Sequence, residues 1–232
     1  SAVIYLLNFA GNLSPVASLI ETIEAIVFEA SFGQWWIARV VFLAGLIASV
    51  WVSDLAYPVL LFSGLLLISE NGLGHAASDG LLSRSSMAAH VLAAATWLGG
   101  LTALFAMIRW WPQNRLSDDV TRLQTIRILY RFSGVGVVAV VLLISTGLFN
   151  IWMRLGSFSW RINMYDQTLL LKIILVVIML GFALLNRIIL LPRLELKPQP
   201  RQAMLCSIAI EQIIGILVLL DTAALGQMAP VE

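Results

Sequence analysis

Apolar residues run along this chain in blocks long enough, or nearly so, to cross a bilayer, separated by short polar stretches. The blocks fall at Trp35–Val52, Leu55–Ile68, Met87–Ile108, Phe132–Met153, Gln167–Leu190 and Met204–Gly226. A helix needs about 20 apolar residues to cross ~30 Å of hydrocarbon. Each block therefore predicts a span, the second a short one whose Pro58 suits a first helical turn. All are expected to be helical, because an open sheet edge leaves backbone groups unsatisfied in lipid. Ahead of them, "SAVIYLLNFA" is apolar but too short to cross. It reads as a partial transmembrane helix over residues 1–12, the tail of a segment expected to continue upstream of Ser1. Residues 13–34 alternate Glu21, Glu24 and Glu29 with Leu, Ile, Val and Phe, the pattern of an amphipathic helix lying along one membrane surface. The expected fold is all-α: a polytopic transmembrane helix bundle of about six full spans over residues 35–228, preceded by those two segments.

Composition agrees. Of 232 residues, 60% are hydrophobic and 12% charged, against about 25% charged in a globular domain. Mean hydropathy is +0.93. A net charge of +1 offers no basic field for nucleic acid, and the lipid bilayer is the obligatory partner. The single cysteine, Cys206, excludes an intrachain disulfide and a Cys-rich metal or iron–sulfur site.

Charge sets the orientation. The loop after the third span carries Arg109, Arg115, Arg122, Arg127 and Arg131, and the loop after the fifth carries Arg187, Arg193, Lys197 and Arg201. Span parity puts these loops, 109–131 and 187–203, on one side, and the positive-inside rule makes that side cytoplasmic. The loop containing His75 then faces outward. His90 lies about one turn inside the outer end of the following helix.

Few residues in the blocks carry chemistry. Met87, His90, Ala94, Trp97 and Leu101 recur at three- and four-residue steps and share one helix face. An imidazole and a thioether one turn apart suit a soft or borderline cation such as copper. Equally, His90 could bond a neighbouring helix while Met87 packs. Met164 and Met228 belong to the same outer side. Trp97, Met179, Glu211, Met204 and Cys206 continue inward as groups along a possible pathway, although methionine is also an ordinary core filler. Lys172 and Asp221, at matching depth on successive helices, predict a structural ion pair. Glu211 either meets Arg187 from the adjacent helix or serves as a ligand or proton acceptor. No phosphate-binding loop, dinucleotide Gly pattern or nucleophile elbow is present, so the protein is not expected to be an enzyme.

Several stretches resemble one family. "FGQWWIAR" at 32–39, "GHAA" at 74–77 and "HVLAAATWLGGL" at 90–101 are similar to the CopD family of bacterial copper-resistance membrane proteins. So are "RFSGVGVVAVVLLISTGLFN" at 131–150, "LLLKIILVVIMLGFALLNRIIL" at 169–190 and "SIAIEQIIGILVLL" at 207–220. The order and spacing of these six stretches make the signal specific. One departure is "MYDQ" at 164–167, where the family has Tyr-Gly and this chain adds Asp166. The resemblance implies an inner-membrane protein of about eight helices. Such a protein would take copper from a periplasmic CopC-type chaperone and pass it inward, or support copper handling for cuproenzymes. On that basis His75 would receive the ion, and His90 with Met87 would hold it, as Cu(I), at the membrane boundary. Two other readings stay open. One is a b-type haem protein with His75 and His90 as axial ligands. The other is an assembly or anchoring subunit docked to further membrane subunits.

Overall fold

The computed structural model describes residues 31–52, 55–69, 80–110, 119–155, 163–196 and 201–228. The partial helix over 1–12, most of the amphipathic segment over 13–34, and His75 lie outside the described residues. Those described form helices and connecting turns, as the apolar blocks predict. They are α1 (Ser31–Val52), α2 (Ala56–Ser69), α3 (Leu81–Trp110), α4 (Asp119–Leu155) and α5 (Met164–Leu185). A π-helical segment, Asn186–Leu190, then leads to α6 (Leu191–Leu196), and α7 (Arg201–Leu225) follows.

Five of these helical stretches are long and apolar enough to span: Gly33–Val52, Leu81–Trp110, Ile126–Met153, Met164–Arg193 and Arg201–Leu225. The sixth predicted span, α2, is helical but has 14 residues, about 21 Å at 1.5 Å per residue. The outward faces are those of a membrane protein. Along α4, for example, Val137, Val138, Val141, Ile144 and Leu148 are all exposed, an apolar surface suited to lipid.

The chain divides into two compact units, Ser1–Leu92 and Ala93–Glu232. In the first, α1 packs on α2 where Gly45 leaves room for the ring of Phe62. Hydroxyls buried between apolar helices return to their own backbone. Ser49 Oγ donates to the Gly45 carbonyl at 2.7 Å and Ser69 Oγ to the Leu66 carbonyl at 2.6 Å, so neither is left bare in a dry interior.

The second unit is built around α7. Its buried residues Met204, Ser207, Ile208, Glu211, Ile214, Gly215, Asp221 and Leu225 form one helical face. That face runs antiparallel to α5: Thr168 meets Met228 near one end, and Asn186 meets Glu211 near the other. It also runs antiparallel to α3, where Gln212 Nε2 donates to Thr102 Oγ1 at 3.1 Å. Arg201 closes the α3 terminus. Its Nη2 donates to the carbonyls of Ile108 and Arg109, both at 2.9 Å, satisfying acceptors that every helix end leaves open. Arg187 does comparable work on α4, with Nη1 donating to the backbone and hydroxyl of Ser133 at 2.8 and 2.7 Å. Both basic segments named above thus tie down helices at the same end of this unit.

Small residues set the helix spacing, as expected where lipid removes most of the hydrophobic drive. A Cβ on Gly100 would stand 2.7 Å from Cζ of Phe132, and one on Gly215 would run into Leu98. By contrast, a Cβ on the neighbouring Gly99 would meet nothing within 4 Å. The pair makes a clean comparison. Gly100→Val is expected to cost about 1–3 kcal/mol through overpacking, whereas Gly99→Ala is expected to be neutral or mildly stabilising. Thermal melts in detergent should separate the two, and equal melting points would refute this account of the packing.

The π segment has a local cause. Pro192 has no N–H, and in a regular helix its ring would press on the carbonyl of Ile188. Widening the turn relieves this, and the Leu191 N–H reaches back five residues to the Asn186 carbonyl.

Candidate metal centre and intramembrane polar groups

The first turns of α3 carry Met87 and His90, both half-buried, on a continuous helix. One turn separates them, so a thioether and an imidazole lie over the same patch of helix surface. Ser86, beside Met87 and one turn before His90, has a buried Oγ with no hydrogen-bond partner among the described residues. Among the described residues no three His, Cys, Asp or Glu side chains gather as a metal site would need.

The remaining sulfurs divide. Met228 packs beside Tyr165, Leu169 and Leu225, with its Sδ 3.9 Å from Thr168 Oγ1. Met164, on the first turn of α5, is 71% exposed. Met179 and Met204, each 3% exposed, share one apolar cluster with Trp97. Cys206 is exposed, two residues from buried Met204 and therefore on another face of α7. From the antiparallel register, Met228, Met179 and Met204 lie down one α5/α7 seam at intervals of about 15–20 Å. Sulfurs that far apart cannot hand an ion directly from one to the next.

Charged groups on the same seam are placed more tightly. Asp221 is 8% exposed, and Lys172 on α5 is the cation that acts on it electrostatically. Ten residues along, Glu211 is 1% exposed, and its Oε1 accepts from Asn186 Nδ2. The sequence points to Arg187 as the alternative partner, but Arg187 is held by Ser133 and the adjacent Asn186 faces α7. A signal for this was present: Lys172, Met179 and Asn186 are spaced by seven and share a face, while Arg187 sits about 100° away. Gln212 and Thr102, an interhelical polar pair, carry no such signal.

Asp166 also has a local account. Asn163 caps α5, its Oδ1 accepting from the Asp166 N–H at 2.7 Å. Asp166 is buried in the first turn, where a carboxylate is favoured by the helix dipole. It is part of how α5 starts.

Comparison with known proteins places the chain. A family model described as copper resistance protein D matches residues 126–225, and one described as copper resistance protein D-like, N-terminal domain matches residues 1–84. The chain is also 31% identical over 212 residues to inner membrane protein YebZ of Escherichia coli (strain K12), covering 88% of this chain and 71% of that protein. This chain belongs to the copper resistance protein D family. A second CopD relative, copper resistance protein D of Pseudomonas syringae pv. tomato, is 26% identical over 254 residues, covering 99% of this chain and 79% of that protein. No solved structure gives a significant match. The CopD model spans most of α4 and all of α5 to α7, including Lys172, Asn186, Glu211 and Asp221. Met87 and His90 fall between the two family models.

Proposed function

We propose that this protein moves or hands on copper across the bacterial inner membrane, taking the ion from the periplasmic side at His and Met ligands of the outer leaflet. The observation that carries the reading is membership of the copper resistance protein D family in a chain whose α3 presents Met87 and His90 one turn apart. Copper(I) accepts two or three soft ligands, so an imidazole and a thioether, completed by His75, make a sufficient set. Met164, at the start of α5, and Met228, just after α7, are proposed as accessory sulfurs of the periplasmic side. Location in the inner membrane follows the name of the YebZ relative and the five spanning stretches. The grouped arginines at 109, 187 and 201 favour that end as cytoplasmic, leaving the start of α3 periplasmic.

In this reading the protein is a carrier and not an enzyme. A periplasmic CopC-type chaperone is the proposed donor. Trp97, Met179, Met204, Cys206 and Glu211 are proposed only as groups along the way, since the wide spacing of the sulfurs requires other groups between them. Elemental analysis tests the reading. After exposure to reduced copper and extensive washing, the purified protein is expected to retain about one copper per chain and no iron. Stoichiometric iron would establish haem in its place, and absence of both metals would favour an anchoring subunit.

A further inference from the structure

Glu211 is the most deeply buried carboxyl among the described residues, at 1% exposure. Burial of an ionised carboxylate calls for a nearby cation or several donors. Glu211 has one donor, Asn186 Nδ2, to Oε1. Its other oxygen, Oε2, is buried with no hydrogen-bond partner, and so is Asn186 Oδ1. Two buried acceptors on one bonded pair of side chains are thus left bare.

The surrounding charges do not resolve this. From the α5 side, Lys172 lies level with Asp221, about 15 Å along α7, and Arg187 is committed to Ser133. Arg193 on α6 and Arg127 and Arg131 on α4 are exposed. Arg109 on α3 is exposed, and Arg201 on α7 itself bonds α3 carbonyls. Asn186 is the side chain that bonds Glu211.

One proton resolves both orphans. On Glu211 Oε2 it makes an O–H donor whose acceptor is Asn186 Oδ1, while Asn186 Nδ2 continues to donate to Oε1. Acid and amide then close a cyclic pair with two parallel hydrogen bonds, no net charge and no bare atom. From this geometry we infer that Glu211 and Asn186 form an intramembrane proton-binding site, with the proton on Glu211 Oε2 and shared toward Asn186 Oδ1. Ser207 lies one turn from Glu211 toward the Arg201 end. It is 4% exposed and its Oγ has no hydrogen-bond partner. Thr102, Ser145, Thr168 and Thr222 all return their hydroxyls to their own helix backbones. Ser207 does not, and it supplies the next oxygen on the route by which a proton from water reaches the pair. The inference is independent of what cargo the protein carries.

Infrared spectroscopy on metal-free protein in lipid at neutral pH tests it. The difference between wild type and Glu211→Gln is expected to show a protonated-carboxyl C=O band that shifts in deuterated water. Asn186→Leu is expected to move that band toward the position of an unbonded acid. Loss of an ionised-carboxylate band in the Glu211→Gln difference would overturn the inference, whether a metal cation or nothing occupied the site. An unmoved band in Asn186→Leu would overturn the pairing. Stability gives a second readout, because glutamine reproduces the protonated state: its Nε2 donates to Asn186 Oδ1 and its Oε1 accepts from Nδ2. Glu211→Gln is expected to melt at or above the wild-type temperature and Glu211→Ala well below it. Equal losses for the two would contradict a neutral pair. Since no metal is added, failure here leaves the copper reading untouched.

Discussion

Lys172→Met is expected to be among the most destabilising single substitutions in this chain. Asp221 is 8% exposed on a helix face that packs against α5, and one of its oxygens, Oδ2, is buried without a hydrogen-bond partner. Lys172 is the cation that acts on it. Removing that cation leaves Asp221 on the buried face of α7 without the charge that acts on it. Breaking one side of a buried pair in this way costs on the order of 3–5 kcal/mol, a large share of the stability of most folds. The reciprocal change, Asp221→Leu, strands an ammonium, whose long stem can reach toward the interface and so should cost less. The double variant Lys172→Met/Asp221→Leu restores an apolar contact and should recover most of the loss, because the favourable term in a buried pair is largely avoidance of an unpaired charge. Thermal melts of the four proteins form a double-mutant cycle. Strictly additive effects would show that the two residues do not act as a pair.

How much of this was readable beforehand depends on the physical signal. The spans were, because lipid imposes a length and an apolarity that few other constraints mimic. All six predicted blocks are helical, with observed ends extended by a turn or more where polar residues such as Ser83, Arg84 and Ser85 continue the helix outside the apolar block. Counting residues along antiparallel spans predicts that Lys172 and Asp221 match in depth, and Lys172 is a cation that acts on Asp221. Two kinds of detail did not follow. The first is the interhelical polar pair of Gln212 and Thr102, which no spacing of polar residues announces. The second is whether sulfurs on one seam are close enough to cooperate. Counting places Met179 and Met204 in the same bundle but does not by itself show the tens of ångströms that separate the ends of the series. The π segment before Pro192 was equally hidden, since a proline near a helix end more often terminates the helix than widens it.

His90→Ala is expected to remove most bound copper while leaving the fold intact. His90 is half-buried on α3 one turn from Met87, so its truncation removes no fully buried side chain. What it removes is the nitrogen donor. A copper(I) ion that loses this imidazole keeps Met87 as its one donor on α3 and is held more weakly. Retention should weaken by about two powers of ten, roughly 2.8 kcal/mol. Met87→Ala should weaken it less, because a thioether is the poorer donor and water can partly replace it. His75→Ala should act on rate: if His75 receives the ion and His90 holds it, loading from a donor slows while the final stoichiometry changes little. Copper content after washing, loading kinetics from a chelated copper(I) donor, and a thermal melt on each variant separate these roles. Full copper retention in well-folded His90→Ala would falsify the assignment. A matching loss of copper in an unfolded His90→Ala would show instead that the imidazole bonds a neighbouring helix. Correctly folded protein with slow loading in His75→Ala and no retention in His90→Ala is the pattern that two imidazoles acting in sequence produce, and no arrangement of purely structural histidines gives it.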